Sequence, residues 1–333
     1  MISFFSNIFG YVLNFIYDIV ANYGLAIILF SILLKIVLLP LSIKQQKTMK
    51  KNSKLQGKVK EIQEKYKNNP EKMNQEMIDL YKNENMSPFS GCLSSIIQII
   101  LLFAMFYLVR SPLTYMKKID TSAVDNIKSY IQQEIGEDSI SQNYPEISIV
   151  KYVSKIKNGE IINNEEEIID EEKNEEILNE NTVEKEEKVE LNNENLEKAY
   201  INMDFLGLDL SNIPWQNKEN LTVFIIPLLY VVSTFISMKL TTKMGQKDEE
   251  KNNKEIFIDN NESEKKDEET DMTAQMNQMS KNMSWFMPIM SVTISLMAPL
   301  GLALYWLVNN VLMIIERVIL NKILNSKEEE KGV

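Results

Sequence analysis

Apolar residues fall in long blocks separated by strongly polar stretches. Residues 23–43 (YGLAIILFSILLKIVLLPLSI), 89–109 (FSGCLSSIIQIILLFAMFYLV) and 221–240 (LTVFIIPLLYVVSTFISMKL) each carry at most one charge. At about 1.5 Å per residue each reaches about 30 Å as a helix, the thickness of the hydrocarbon core, so all three are predicted to span a membrane. Near the C-terminus, 283–298 and 300–315 are two shorter apolar runs around Pro299, the second continuing amphipathically to residue 320. Together they are too long for one crossing and proline marks a reversal, which predicts a fourth and a fifth span within 283–320.

The polar blocks have patterns of their own. In residues 1–22, Ser3, Asn7, Gly10, Asn14 and Asp18 recur at helical spacing, with Phe4, Phe5, Phe9, Phe15 and Ile16 on the other side. A basic n-region and a small-residue cleavage site are both missing, so the reading is an amphipathic helix lying in the outer interface rather than a signal peptide; the alternative is an uncleaved extra span, against which Asp18 and the lack of flanking charges argue. In residues 44–88, Leu55, Val59, Ile62 and Tyr66 repeat at helical spacing, Asn68-Asn69-Pro70 breaks the pattern, and Met73, Met77 and Leu80 resume it. That predicts a helical hairpin. Residues 241–282 read as a polar loop and 321–333 as a charged tail.

Charge then sets the orientation. Residues 44–88 hold 11 Lys against six acids, and Lys239, Lys243, Lys247, Lys251 and Lys254 follow the third span, whereas residues 1–22 have no Lys or Arg. Positive residues stay inside, so the hairpin, the 241–282 loop and the C-terminus are expected in the cytosol. The N-terminus and the 110–220 loop are expected outside. The formal net charge of −11 is misleading, because residues 158–200 alone hold 15 Glu and one Asp against four Lys, a net of −12. This Glu/Asn insertion has too little apolar surface to offset the entropy of ordering and reads as disordered or weakly helical.

Composition removes most chemistry. The chain contains no His and one Cys, Cys92, inside an apolar run. Histidine-based acid/base and nucleophilic catalysis, most zinc and haem sites and any intramolecular disulfide are excluded. The expectation is a protein that is not an enzyme, with no catalytic residues, no metal and no cofactor. An intramembrane protease would have only Ser31 and Lys35 as a dyad, without a G-x-S-x-G elbow.

Lys35 carries the functional reading, because an ionisable residue inside a span is a functional hypothesis by default. Leu33 is the midpoint of 23–43, which puts Lys35 about 3 Å past the centre. A lysine that snorkels roughly 6 Å falls short of the interface, so it needs water or a partner. Burying it costs roughly 2.5–3.5 kcal/mol unless it faces a hydrated cavity. The bland alternative is a snorkelling lysine with local thinning of the bilayer. Ser31 lies one turn earlier on the same face, and Pro40 frees the carbonyl of Ile36 beside the lysine. Gln98, Ser233, Thr234, Ser237, Asn309 and Asn310 add uncharged polar groups to other spans; such hydroxyls often serve only to join helices. Before Glu316 no span carries a carboxylate, so proton relays lack their usual groups, and a single cation among hydroxyls and amides suits transient acidic guests.

The runs GLAIILFSILLKIVLLPLSIKQQKTMKK, LQGKVKEIQEKYKNNPEKMNQEMIDLYKNENMSPFSGCLSSIIQIILLFAMFYLV and MPIMSVTISLMAPLGLALYWLVNNVLMIIERVI resemble the YidC family of membrane protein insertases. The resemblance covers residues 23–110 and 221–320, with LPLSIKQQ, EKYKNNPEKMNQE, PFSGCL and PLGLALYW as its most specific motifs. It implies an all-α membrane protein of five transmembrane helices around a hydrophilic groove open to the cytosol, with a cytosolic helical hairpin. Lys35 stands where the family usually has arginine, which keeps the charge and loses the forked donor. Ser31 and Gln98 match groove-lining positions, Ser237 replaces a glutamine, and Tyr305 and Trp306 match an aromatic pair of the last span. Lys58, Lys60, Lys65 and Lys67 of the hairpin would contact substrate or ribosome. The implied partners are nascent membrane proteins and lipids, with the Sec translocon and the ribosome beside them, in the bacterial cytoplasmic membrane. The acidic insertion has no counterpart in the resemblance and differs from the large folded periplasmic domain of some members. The rival is a small-solute channel or transporter in the same polar cavity, which would ordinarily show internal repeats.

Overall fold

The computed structural model describes residues 2–84, 90–159, 193–256 and 292–329. In chain order the helices are α1 (Ile2–Val20), α2 (Tyr23–Lys65), α3 (Pro70–Asn83), α4 (Ser90–Arg110), α5 (Pro112–Tyr115), α6 (Thr121–Ile135), α7 (Pro145–Lys157), α8 (Asn193–Ala199), α9 (Ile225–Ile256) and α10 (Leu300–Glu329). Two short antiparallel strands, β1 (Asp204–Phe205) and β2 (Leu208–Asp209), lie between α8 and α9. A helical segment at 292–297 ends just before Pro299, whose carbonyl accepts the first bond of α10. The chain divides into two compact units, residues 1–27 with 103–212 and residues 28–102 with 213–333.

Among the described residues four helical stretches are long and apolar enough to cross a membrane: Ile2–Val20, Tyr23–Thr48, Leu221–Leu240 and Leu300–Ile323. The first, third and fifth expected spans are among them. The described apolar part of α4 is Ile99–Arg110, shorter than a crossing because the side chains before it lie outside the described residues. Most of the fourth expected span, 283–291, also lies outside them. The helix does not end where the first expected span does, at residue 43. Pro40 sits inside a continuous 43-residue helix, so α2 carries the chain from the apolar block into the basic one without a break. In the same way α9 extends to Ile256, where a polar loop was expected from 241.

The break at Asn68-Asn69-Pro70 falls where the sequence puts it. Asn69 caps α3 by accepting the Lys72 amide at 3.1 Å, and Pro70 starts the helix with its fixed φ and missing donor. Lys58 on α2 pairs with Glu84 at 3.0 Å, and the Tyr66 hydroxyl donates to Glu76 at 3.1 Å.

In the first unit α1 has three faces rather than two. Ser6, Phe9, Gly10, Leu13 and Tyr17 are buried, a polar stripe follows, and Phe4, Ile8, Tyr11, Phe15 and Ile19 form an exposed apolar stripe. The expected single apolar face is therefore split: Phe9 packs inward while Phe4 and Phe15 face out. Ser6 donates to the Ala104 carbonyl at 2.9 Å, satisfying a hydroxyl that has no access to solvent.

The 110–220 segment is more than a loop around an acidic insertion. Helices α6 and α7 pack together and bury Val124, Ile127, Ile131, Ile147, Val150 and Val153. The β-hairpin is tied to the start of α2 by Tyr23 N–H to Asn202 O at 3.0 Å and by the Asn22 amide to Asp204 O at 2.6 Å. Phe205 fills the space left by the missing side chain of Gly24. The reading of this region as a loop overlooked apolar positions at helical spacing before the insertion, whose charge dominates the average. Within the insertion, residues 193–199 are helical and 160–192 lie outside the described residues.

Candidate functional site

The site is built in the second unit from the residues that polarity makes costly in an apolar helix. Lys35 projects from α2, and its ammonium lies 2.8 Å from Oε2 of Glu316 on α10. Their side chains are 26% and 12% exposed, so the pair is largely shielded from solvent. Lys35 is therefore not the lone cation that the sequence suggested. A buried charge needs a partner to avoid most of its desolvation cost, and each of these two supplies the other's. Glu316 was read only as the polar continuation of the last span. The signal that could have found it is depth: Lys35 lies 12 residues into α2 and Glu316 lies 16 into α10, about 18 and 24 Å along the two axes.

Ser31, one turn before Lys35, is fully buried. Helix α9 packs against α10, and the contact is stitched by amide and hydroxyl groups. Asn310 donates to Ser233 Oγ at 2.9 Å and to Thr234 Oγ1 at 3.1 Å, and both hydroxyls donate in turn to the Tyr230 carbonyl at 2.7 and 2.9 Å. Ser237, one turn further along α9, is buried as well. This polar seam joins helices by hydrogen bonds that lipid cannot replace.

Of the aromatic pair, Tyr305 is buried and Trp306 half-buried. The Trp306 ring lies 5.9 Å from that of Tyr230, and its buried indole nitrogen has no hydrogen-bond partner among the described residues. The Asn309 amide donates to the Tyr305 carbonyl at 2.9 Å. Gln98 lies on α4, with its side chain outside the described residues. The basic residues of α2 and the following turn do not converge on the Lys35–Glu316 pair. Lys58 is engaged with Glu84, Lys65 stands 5.4 Å from the Tyr66 ring centre, Lys67 is exposed in the turn, and the Lys60 side chain lies outside the described residues.

Chemically, the arrangement can attract, hold and exchange charged groups. Large apolar side chains stand exposed on the adjoining helices, among them Leu228, Val232, Phe235 and Ile236 of α9 and Val311, Ile315, Val318 and Ile319 of α10. Exposed apolar area of this extent is a surface for lipid or for another apolar helix.

A family model described as "60Kd inner membrane protein" matches residues 15–328. The chain is 51% identical over 100 residues to the membrane protein insertase YidC of Chlorobaculum parvum, a stretch that covers 30% of this chain and 17% of that protein. It is 25% identical over 312 residues to the membrane protein insertase YidC of Treponema denticola, covering 94% and 36%. With the membrane protein insertase YidC of Clostridium perfringens it shares 44% identity over 104 residues, covering 31% and 44%. The matched stretches thus span less than half the length of each of these relatives.

Proposed function

The chain belongs to the 60Kd inner membrane protein family, and from that premise we propose that it is a membrane protein insertase of the bacterial cytoplasmic membrane. It receives nascent membrane proteins, passes short polar tails outward and releases apolar helices into lipid, alone or beside the Sec translocon. In this reading five spans enclose a hydrophilic groove open to the cytosol. The N-terminus lies outside with α1 in the outer interface, and the C-terminus lies in the cytosol. The α2–α3 arms form a cytosolic hairpin whose lysines meet the incoming chain or the ribosome. No covalent chemistry is involved.

The observation that carries the proposal is a shielded lysine–carboxylate pair set among apolar residues. A hydrated groove thins the low-dielectric barrier, and Lys35 within it attracts an acidic tail. Magnitudes favour passage. Leu, Ile, Phe and Val contribute roughly −0.3 to −0.6 kcal/mol each at the centre of an inserted helix. Ten such residues gain roughly 3–6 kcal/mol, against roughly 2.5–3.5 kcal/mol for one carboxylate at the same depth. Hydrophobic transfer therefore drives release once the tail is across, and the exposed apolar faces of α9 and α10 offer the flank along which the helix leaves.

The test is insertion of a single-span substrate with an acidic outer tail into vesicles containing the purified protein, read by protease protection. Wild type, Lys35→Ala, Lys35→Arg and Lys35→Glu are compared. The proposal requires protection with wild type, loss with Ala and Glu, and protection with Arg at saturating substrate. Equal insertion by all four variants removes Lys35 from the mechanism. A solute flux that follows vesicle loading, without tail protection, would favour a channel instead.

A further inference from the structure

Lys35 already holds a carboxylate. Any acidic group that reaches it from outside the chain competes with Glu316, which is tethered 2.8 Å away and so acts at a high effective concentration. We propose that Glu316 is a built-in counter-ion that an acidic substrate tail displaces, so that the Lys35–Glu316 pair, and not Lys35 alone, sets which tails enter. The inference rests on the insertase reading and adds to it a residue that determines specificity.

Three features support the exchange. First, an unpaired charge at this depth is costly, whereas replacing one carboxylate by another leaves the ammonium paired throughout, and the released Glu316 keeps the Coulombic attraction of Arg317. An uncharged tail cannot make that substitution and gains nothing from Lys35. Second, a lysine ammonium has three donors, and among the described residues one is used, in the bond to Glu316 Oε2. An incoming carboxylate can therefore bind beside Glu316 before Glu316 leaves, so the pair need not open to an unpaired intermediate. Third, Glu316 is held by one oxygen. Its Oε1 is buried and has no hydrogen-bond partner among the described residues, so Lys35 supplies the hydrogen bond that restrains the carboxylate there, beside the Coulombic attraction of Arg317. A forked guanidinium could engage both oxygens and hold the counter-ion more tightly, which makes lysine the better residue for exchange.

The experiment uses the full chain in vesicles with two single-span substrates that differ only in the outer tail, one acidic and one with its Asp and Glu changed to Asn and Gln. Wild type, Glu316→Gln and Glu316→Asp are compared by the substrate concentration giving half-maximal protease protection. Removing the competitor in Glu316→Gln is expected to lower that concentration about 5-fold or more for the acidic tail, and to leave the neutral tail within about 2-fold. Glu316→Asp, which keeps the charge and shortens the reach, is expected to fall between, and it carries the test if Glu316→Gln does not fold. Adding Lys35→Arg is expected to weaken acidic-tail capture when Glu316 is present and to have no such effect with Glu316→Gln. Equal losses for both tails would mean that the pair is only a structural tie and would overturn the proposal, as would no change for either tail. If wild type inserts neither tail, the insertase reading itself falls, and this inference with it.

Discussion

The side-chain amide of Asn310 lies 2.9 Å from the hydroxyl of Ser233, joining α10 to α9 at a buried position in two apolar helices. Ser233 keeps a second bond, to the Tyr230 carbonyl, so removing the amide does not orphan the hydroxyl. Asn310→Ala loses two interhelical bonds, to Ser233 and Thr234, and is therefore expected to cost about 1–3 kcal/mol, at about 0.6–1.7 kcal/mol for each bond in lipid. Unfolding in mixed micelles measures this. A loss well beyond that range would mean that the amide also holds a group outside the α9–α10 seam.

Gly10 is defined by what surrounds it. A Cβ there would collide with the carbonyl oxygen and carbon of Tyr115, both main-chain atoms. Gly10→Ala must therefore push α1 away from α5, at about 1–3 kcal/mol. Gly24→Ala meets ring atoms of the Phe205 side chain instead. Thermal unfolding in detergent should show that Phe205→Ala relieves the Gly24→Ala clash, while no side-chain truncation at Tyr115 relieves Gly10→Ala. Rescue of Gly10→Ala by Tyr115→Ala would contradict the backbone contact.

Glu146 is a cap supplied from a distant part of the chain. Its Oε2 accepts the amides of Leu113 and Thr114 at 2.7 and 3.0 Å, and its Oε1 accepts the Thr114 hydroxyl at 2.7 Å, satisfying the first turn of α5. Glu146→Ala leaves two amides without their acceptor and is expected to cost about 1–3 kcal/mol. Glu146→Gln keeps an acceptor for both amides and should cost less.

The same residue gives a pH dependence with a definite sign. Burial pushes the Glu146 carboxyl above the usual carboxylate range, opposed by its bonds to Thr114 and Leu113. The folded chain therefore holds this proton more tightly than the unfolded one. Its contribution to stability is fully present below the ordinary carboxylate pKa and declines as pH rises through the raised value. Melting temperatures of wild type and Glu146→Gln measured from pH 4 upward should show wild type losing ground relative to Gln across that window. A gap that does not change with pH would remove Glu146 as the cause.

Leu206 stands at the tip of the β-hairpin with φ 54°, followed by Gly207 at φ 78°, and its side chain is 87% exposed. A two-residue turn with positive φ at both positions favours Asn-Gly, and leucine in the left-handed region is strained by about 1–2 kcal/mol. Leu206→Asn and Leu206→Gly should therefore raise stability, by up to about 1 kcal/mol, read as slower amide exchange in β1 and β2. Destabilisation by both would mean that the leucine side chain makes a contact beyond this chain.

Several features were legible because they depend on neighbours along the chain. The spans beginning at Tyr23, Leu221 and Leu300 follow from uninterrupted apolar runs, and the start of α3 follows from the Asn69 cap and Pro70, whose physics is local. The folding of residues 110–157 was not legible. The apolar residues of α6 and α7 are too few to stand out beside the acidic insertion, and their value comes from burying one another. Lys35 was identified as costly from its depth alone, but the remedy lies 281 positions away, where no local pattern reaches.

What the sequence determined by itself is therefore the set of elements and the charge asymmetry between them, because hydrophobic period, proline, capping and the cost of a charge in lipid are properties of short segments. What only the tertiary structure decided is which polar groups meet. Lys35 with Glu316, Asn310 with Ser233 and Glu146 with the start of α5 each join residues from separate helices. A buried charge or amide states that it needs a partner; only the packing of helices selects which one, since the partner stands on another helix where no local pattern reaches.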